Sequence, residues 1–254
     1  MQLLTLARDL KRRKARERRA LFVAEGVRSV EELLRSSLRI RGALVTAALR
    51  ESAHGEGLLA ALDAKGVPHE VVSDGEFLSA ADTEHPQGVL AIAEVPALTF
   101  DALGPRLAST TRLLVLDAIQ DPGNTGALVR TAAALGAAAV IALPGTADLW
   151  NAKAVRAAAG AHFRMPTVHG TVAGLLSFLR SQDTALWGAA ADGTPVDAAR
   201  PPQRLALAVG NEGAGLSVAV RAGCERIVAL PMAPDVESLN VAVAAGIALY
   251  ALRP

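Results

Sequence analysis

The feature that most constrains this chain is the alternation, from residue 112 onward, of short apolar runs with segments of helical spacing. LLVLDAI, AAVIAL, MPTV, ALWGAAA, RLALAVG and RIVALP read as strands, and LLVLDAI is apolar along nearly all its length, as a strand buried on both faces must be. Between them ALVRTAAALG, WNAKAVRAAAG and VAGLLSFLRS carry helical spacing, and the chain closes on the helix SLNVAVAAGIALYAL. Strands alternating with helices predict an α/β fold, its sheet parallel and covered on both faces.

Upstream the alternation is looser. VRSVEELLRSS and HGEGLLAALDAKG read as helices, and IRGALVTAAL, VPHEVVS and QGVLAIAEV as strands, a βαβ-type order. PALTFDALGPRLASTT is a short helix between turn formers and reads as a joint. This predicts a domain over 1–98, a linker over 99–111 and a second domain over 112–254. With 51% apolar residues in 254, each domain can bury its own core, which excludes a disordered chain.

The 26 basic and 25 acidic residues hide an asymmetry. Eight of the basic ones lie in the first twenty residues, which leaves 18 basic against 23 acidic for the rest. Arg12, Arg13, Lys14, Arg16, Arg18 and Arg19 therefore form a candidate path for RNA, the alternative being an ordinary solvated helix face. The single cysteine, Cys224, cannot form an internal disulfide, and the five scattered histidines lack zinc-ligand spacing, so a reducing compartment and no metal are expected. The longest apolar run, Ala127 to Leu143, is interrupted by Arg130, and a cytoplasmic protein without a membrane span is expected. Aromatics at 3% exclude a wide base-stacking platform.

Three loops carry chemistry. Asp121-Pro122-Gly123-Asn124-Thr125-Gly126 follows LLVLDAI and leads to Arg130, at the strand end where α/β folds place ligand groups. Asn124 and Arg130 are expected to face one pocket, although a βα turn with an Asn cap and an exposed Arg would read the same. Gly210-Asn211-Glu212-Gly213-Ala214-Gly215 follows RLALAVG, where glycines allow close approach of backbone to ligand. It fits neither G-x-G-x-x-G nor the phosphate-loop pattern. The third runs from Leu230-Pro231-Met232 to Glu237-Ser238-Leu239-Asn240 at the head of the last helix. Ser238 reads as its N-cap and Glu237 suits its positive end, while Asn240, placed inside the first turn, needs a partner that a site would supply.

In order, DPGNTGALVRTAAALGA, LALAVGNEGAGLS and IVALPMAPDVESLNVAVAAGIALY closely resemble the three motifs of the SpoU family of RNA ribose 2′-O-methyltransferases, in the SPOUT superfamily. KAVRAAAGAHFRMP resembles the family's middle segment, with Ala158 where many relatives carry Ser. FVAEGVRSVEELL and TEHPQGVLAIAE are similar to the L30e-like substrate-binding domain that precedes many SpoU domains.

The resemblance implies a C-terminal domain tied in a deep trefoil knot, S-adenosyl-L-methionine as cofactor, and a homodimer through that domain. It implies Gly210, Leu230 and Leu239 as cofactor contacts and Asn124, Arg130, Glu212, Ser238 and Asn240 at catalytic positions. It also implies an RNA partner, ribosomal RNA before transfer RNA because of the added N-terminal domain. On this reading Arg130 clamps the RNA phosphate beside the target and stabilises the 2′-oxygen, because a guanidinium is too weak an acid to serve as base. Asn124 and Ser238 orient the ribose, and Glu212 holds Arg130 or the loop. The competing readings are a non-catalytic RNA-binding or ribosome-assembly protein on this fold, and an enzyme of the superfamily acting on a base nitrogen.

Overall fold

The computed structural model describes residues 2–236 and 238–253, so Glu237 lies outside the described residues. The chain begins with helices α1 (Leu3–Asp9) and α2 (Arg13–Arg19), strand β1 (Leu21–Glu25), helix α3 (Val27–Leu34) and strand β2 (Ile40–Thr46). Helices α4 (Ala47–Arg50) and α5 (Ala53–Ala64), strand β3 (His69–Val72), helix α6 (Asp74–Ala80) and strand β4 (Val89–Glu94) follow. Next come α7 (Phe100–Leu103), β5 (Thr111–Asp117), α8 (Pro122–Ala134), β6 (Ala139–Ala142), α9 (Ala152–Ala157) and β7 (Thr167–His169). The chain ends with α10 (Val172–Ser181), β8 (Ala185–Pro195), β9 (Arg204–Gly210), α11 (Val218–Gly223), β10 (Arg226–Ala229) and α12 (Val241–Ala251).

These elements form two compact units. The first comprises Met1–Ala97 together with Asp148–Arg164, and the second Leu98–Ala147 with Met165–Pro254. The stretch Asp148–Arg164 was expected inside the 112–254 domain, but its side chains pack into the first unit. Trp150 packs tilted against Phe22 and Phe163 stacks on it, with ring centroids 4.5 and 5.8 Å away, and Arg16 pairs with Asp148 at 2.7 Å.

The first unit's sheet runs β1-β4-β2-β3. Only β2 and β3 are parallel; β4 lies antiparallel between β1 and β2, so the sheet is mixed rather than the parallel one that the alternation implied. Strand β4 is the cause, since it runs against both of its neighbours, and strand β1 closes the sheet on its far side. The five residues of β1 are all buried, and they pair with β4 from Leu21↔Glu94 to Glu25↔Leu90.

In the second unit six strands, all parallel, run β10-β8-β9-β5-β6-β7. Central β5 is buried at all seven positions, as its continuous apolar run requires. Leu113, Val115, Ile141 and Ala208 face a core completed by Leu175, Leu179 and Val220 of α10 and α11. Helices α8 and α12 pack on each other, α8 against β5 and β6 and α12 against β9. Ala242, Ala245 and Ala248 of α12 are buried, and the Gly246 Cα lies so near Thr131 that a Cβ would stand 3.2 Å from its methyl. The small residues of the last helix thus serve a contact within the chain.

Candidate active site

The site arises from a break in strand pairing. β8 and β9 pair only as far as Gly188↔Ala208, whereas β9 continues beside β5 to Gly210↔Asp117. On its other side β8 also leaves its partner, since the register with β10 jumps from Ile227↔Gly188 to Val228↔Thr194. The freed residues Ala189–Ala191 and the end of β9 form the walls of a crevice at the carboxyl ends of parallel strands, where α/β sheets bind ligands. Its volume is about 400 Å³, within the range of small-molecule sites.

One wall is the loop after β9. Asn211 and Gly215 exchange two backbone hydrogen bonds of 2.9 Å, and the Asn211 side chain accepts from the N–H groups of Gly213 and Ala214 while donating to the Ala118 carbonyl. Gly210 lies so close to this turn that a Cβ would stand 2.2 Å from the Gly215 carbonyl carbon, and Gly215 itself has φ +70°. Glycine is required at both positions. Asp117, buried at the end of β5, accepts from the Ser217 N–H at 2.7 Å and fixes the far end of the loop. Asn211 and Asp117 were not singled out from the sequence; the Asx-turn pattern N-x-G was the available signal for the first.

Across the mouth runs a directed chain of hydrogen bonds. Asn240 is the N-cap of α12, accepting from the N–H groups of Ala242 (2.9 Å) and Val243 (3.4 Å). Its Oδ1 being so occupied, its Nδ2 donates to Asn124 Oδ1 at 2.9 Å, and Asn124 Nδ2 donates in turn to Glu212 Oε1 at 2.9 Å. Burial raises the pKa of Glu212, but the bonds from Asn124 and from backbone N–H groups including that of Gln120 outweigh it, and the carboxyl lies below its usual range.

Several expectations change here. Ser238 does not cap the helix; Asn240 does, because α12 starts two residues later than read, and the cap is also the partner that the Asn240 amide needed. Asp121, not Asn124, caps α8, accepting from the Asn124 N–H at 2.8 Å. Glu212 holds Asn124, and among the described residues no hydrogen bond or ion pair joins it to Arg130. Gly210, Leu230, Leu239, Glu212, Ser238 and Asn240 all line the cavity. Asn124 reaches it through its two partners. Arg130 does not line it: six residues on from Asn124, it lies about a third of a turn round α8 and is exposed.

The basic segment divides likewise. Arg16 is buried, bound to Asp148 and to the carbonyls of Leu10 and Lys11, and so leaves the expected RNA path. Arg13 pairs with Glu17 at 2.7 Å, Arg12, Arg18 and Arg19 surround Asp9, and Lys14 is exposed.

Among the cavity-lining residues Glu212 is the one charged group, and most other side chains are small, so backbone forms much of the wall. That suits a compact ligand bearing positive charge. A parallel α/β unit with such a crevice, closed by Asn124 from the first turn of α8, Glu212 from the loop after β9 and Asn240 at the head of α12, has the form of an enzyme site for a small molecule. Residues 111–250 match the SpoU rRNA Methylase family and residues 5–91 the MRM3-like substrate binding domain; the chain belongs to the SpoU rRNA methylase family. It is 34% identical over 247 residues, 97% of this chain and 94% of the relative, to the 23S rRNA (guanosine(2553)-2′-O)-methyltransferase RlmP of Bacillus subtilis (strain 168). To the 23S rRNA (guanosine-2′-O-)-methyltransferase RlmB of Ralstonia nicotianae it is 36% identical over 89% of this chain and 92% of the relative. Its fold matches the crystal structure of the SpoU methyltransferase AviRb from Streptomyces viridochromogenes in complex with AdoMet, with a TM-score of 0.86 and 29% identity over 99% of this chain and 96% of that one. Among the described residues no helix is long and apolar enough to cross a membrane.

Proposed function

We propose that this chain methylates a ribose 2′-hydroxyl of RNA with S-adenosyl-L-methionine as donor, and that the substrate is 23S ribosomal RNA rather than transfer RNA. The observation that carries this reading is the crevice whose mouth is spanned by Glu212, Asn124 and Asn240, on a chain whose relatives are named for that reaction. Such a substrate puts the reaction in the cytoplasm.

S-adenosyl-L-methionine supplies an electrophilic methyl group on a sulfonium. Gly210, Leu230 and Leu239 would hold it through backbone and apolar contacts, and Glu212 gives the cavity a negative potential that suits its cationic centre. Asn124 and Asn240 tie the loop of Glu212 to the head of α12 and so keep the walls at a fixed separation. Ser238 lines the cavity, and its hydroxyl would orient the ribose. Arg130 is exposed and has no hydrogen bond or ion pair among the described residues, which leaves its fork available for an RNA phosphate and the 2′-oxygen. It would stabilise alkoxide character while the proton departs to phosphate or water.

The second unit would associate with a copy of itself through α12, whose Val243, Ile247 and Tyr250 form an exposed apolar row at helical spacing. The family implies a knotted path for this unit, in which α12 would be the threaded segment; it packs on α8, β9 and the turn Val196–Ala198.

Calorimetry should detect S-adenosyl-L-methionine binding, and ribosomal RNA treated with the protein should yield nuclease-resistant dinucleotides, a product of 2′-O-methylation alone. Arg130→Ala should abolish transfer while leaving cofactor affinity and Tm unchanged. RNA binding without transfer, under conditions that saturate the cofactor site, would instead establish a non-catalytic protein.

A further inference from the structure

We propose that Arg12, Arg18 and Arg19, gathered around Asp9, form a binding site for backbone phosphates of the RNA substrate. The inference rests on the RNA reading above and assigns it a place on the first unit.

Helix α1 ends at Asp9, three residues link it to α2, and side chains from both ends of α2 reach the Asp9 carboxylate. Arg12 and Arg19 are seven residues apart, two turns of a helix, and therefore project on one side. Arg12 Nη2 contacts Asp9 Oδ1, while Arg19 Nε and Arg18 Nη2 lie 3.1 and 3.6 Å from Oδ2. Arg12 and Arg18 thus share with Arg19 a single carboxylate and bring at least one positive charge in excess of it.

Folding does not account for this arrangement. The side chains of Arg12 and Arg18 are 75% and 69% exposed, and ion pairs so exposed add little stability. Each uses one Nη on Asp9 and makes no other side-chain hydrogen bond or ion pair among the described residues, and the exposure leaves the rest of its fork open to water. The neighbouring cations differ: Arg13 is neutralised by Glu17, and Arg16 is spent on Asp148 inside the unit. Lys11 lies beyond, donating to the carbonyls of Ser79 and Ala81. Positive charge in excess of its counter-charge, on planar donors already oriented by a shared carboxylate, is what a phosphodiester recognises. Asp9 acts here as a positioning residue, reducing the side-chain ordering that phosphate binding would otherwise cost.

The test is anisotropy of a fluorescein-labelled oligouridine titrated with the full chain over a range of KCl concentrations. The double variant Arg12→Gln/Arg18→Gln should lower affinity about tenfold near physiological salt and reduce the slope of log K against log[salt] by about 1.4, the value for two lost contacts on a single strand. Arg13→Gln/Glu17→Gln, a neutral-pair control, should leave the slope unchanged. Asp9→Asn should weaken binding about threefold, because the arginines lose their common anchor; tighter binding would mean that Asp9 merely offsets charge and would overturn its role. An unchanged slope in the arginine double variant overturns the site. S-adenosyl-L-methionine affinity, measured on the same preparations, separates the two readings: if the wild-type chain fails to bind the cofactor the methyl-transfer reading falls, whatever the salt slopes are.

Discussion

The chain of hydrogen bonds at the mouth of the cavity has a direction, and a change of direction is measurable. Backbone N–H groups of Ala242 and Val243 donate to Asn240, Asn240 to Asn124, and Asn124 to Glu212. Asn240→Asp keeps the cap, because Asp and Asn serve equally at that position and a negative charge suits a helix N-terminus. It removes the donor to Asn124. If the Asn124 amide turns to donate to the new carboxylate, its oxygen faces Glu212 Oε1 across the former 2.9 Å bond, acceptor against acceptor. Either way one bond is lost, for about 1 kcal/mol. Glu212→Gln alone can still present oxygen to Asn124, and what it then gives up is the longer bond from the Gln120 N–H at 3.4 Å, so it costs less.

The double variant Asn240→Asp/Glu212→Gln runs the chain in reverse: the new amide at 212 donates to Asn124, and Asn124 donates to the new carboxylate at 240. Urea unfolding of the four proteins at pH 7 should give a favourable coupling of about 1 kcal/mol between the two changes. The wild-type chain should also lose the Glu212 contribution as pH falls. A carboxyl with a depressed folded-state pKa contributes its full stability above its ordinary value, here 4.5, and that contribution is lost as the pH falls from there through the lower folded-state pKa. Glu212→Gln should flatten that part of the acid limb. Coupling within about 0.5 kcal/mol of zero, the range of independent sites, would refute the directed chain.

Cys224 donates to the Val220 carbonyl, and burial, with Asp117 adding to it against Arg221, pushes its thiol up to about 11. At pH 8 the reactive thiolate is then about one part in a thousand, so iodoacetamide should label the folded chain slowly and the urea-unfolded chain readily; fast native labelling would contradict the burial. Val243→Glu/Ile247→Glu should give a monomer by light scattering where the wild type is a dimer, with its Tm within a few degrees of wild type, because both side chains are exposed within the single chain. A variant that stays dimeric would move the interface elsewhere.

Much of the second unit was legible because its strands are buried on both faces: LLVLDAI and RLALAVG can be little else, and the loops after them fall at strand ends by construction. Strand directions in the first unit were not legible, since spacing records burial and carries no sign of direction. LFVAE was missed as a strand because five residues before a glycine look like a lead-in to the next helix. Helix α6 was missed although Ser73 and Glu76 form a capping box readable as S-x-x-E. Ser238 and Asn240 are both good caps, so only the register of α12 decides between them. Arg16 looks like its neighbours in the sequence and is distinguished solely by Asp148, 132 residues away.

That long-range pairing makes the first unit discontinuous, with a consequence for how it folds. Residues 1–97 contain every strand of its sheet and the hydrogen-bond partners of Glu25 and Glu32, yet they lack the groups that cover Phe22 and neutralise Arg16, and the two arginines that pair with those glutamates from outside. Trp150 and Phe163 cover Phe22; Asp148 holds Arg16; Arg156 reaches Asp82 at 2.8 Å and Glu25 at 3.6 Å; Arg164 reaches Glu32 at 2.9 Å. Gly160, at φ +87°, lies so close to α3 that a Cβ would stand 2.8 Å from the Glu32 Cβ. Uncovering Phe22 costs about 1.5–3 kcal/mol and stripping Arg16 of its buried partner about 3–5 kcal/mol. Together these rival the roughly 5–15 kcal/mol that holds a whole domain folded. A fragment of residues 1–97 should therefore lack a cooperative urea transition, and joining residues 148–164 to it through a flexible linker should restore one. A cooperative transition for 1–97 alone, at the midpoint of the joined chain, would show that the excursion merely rests on a unit already complete without it.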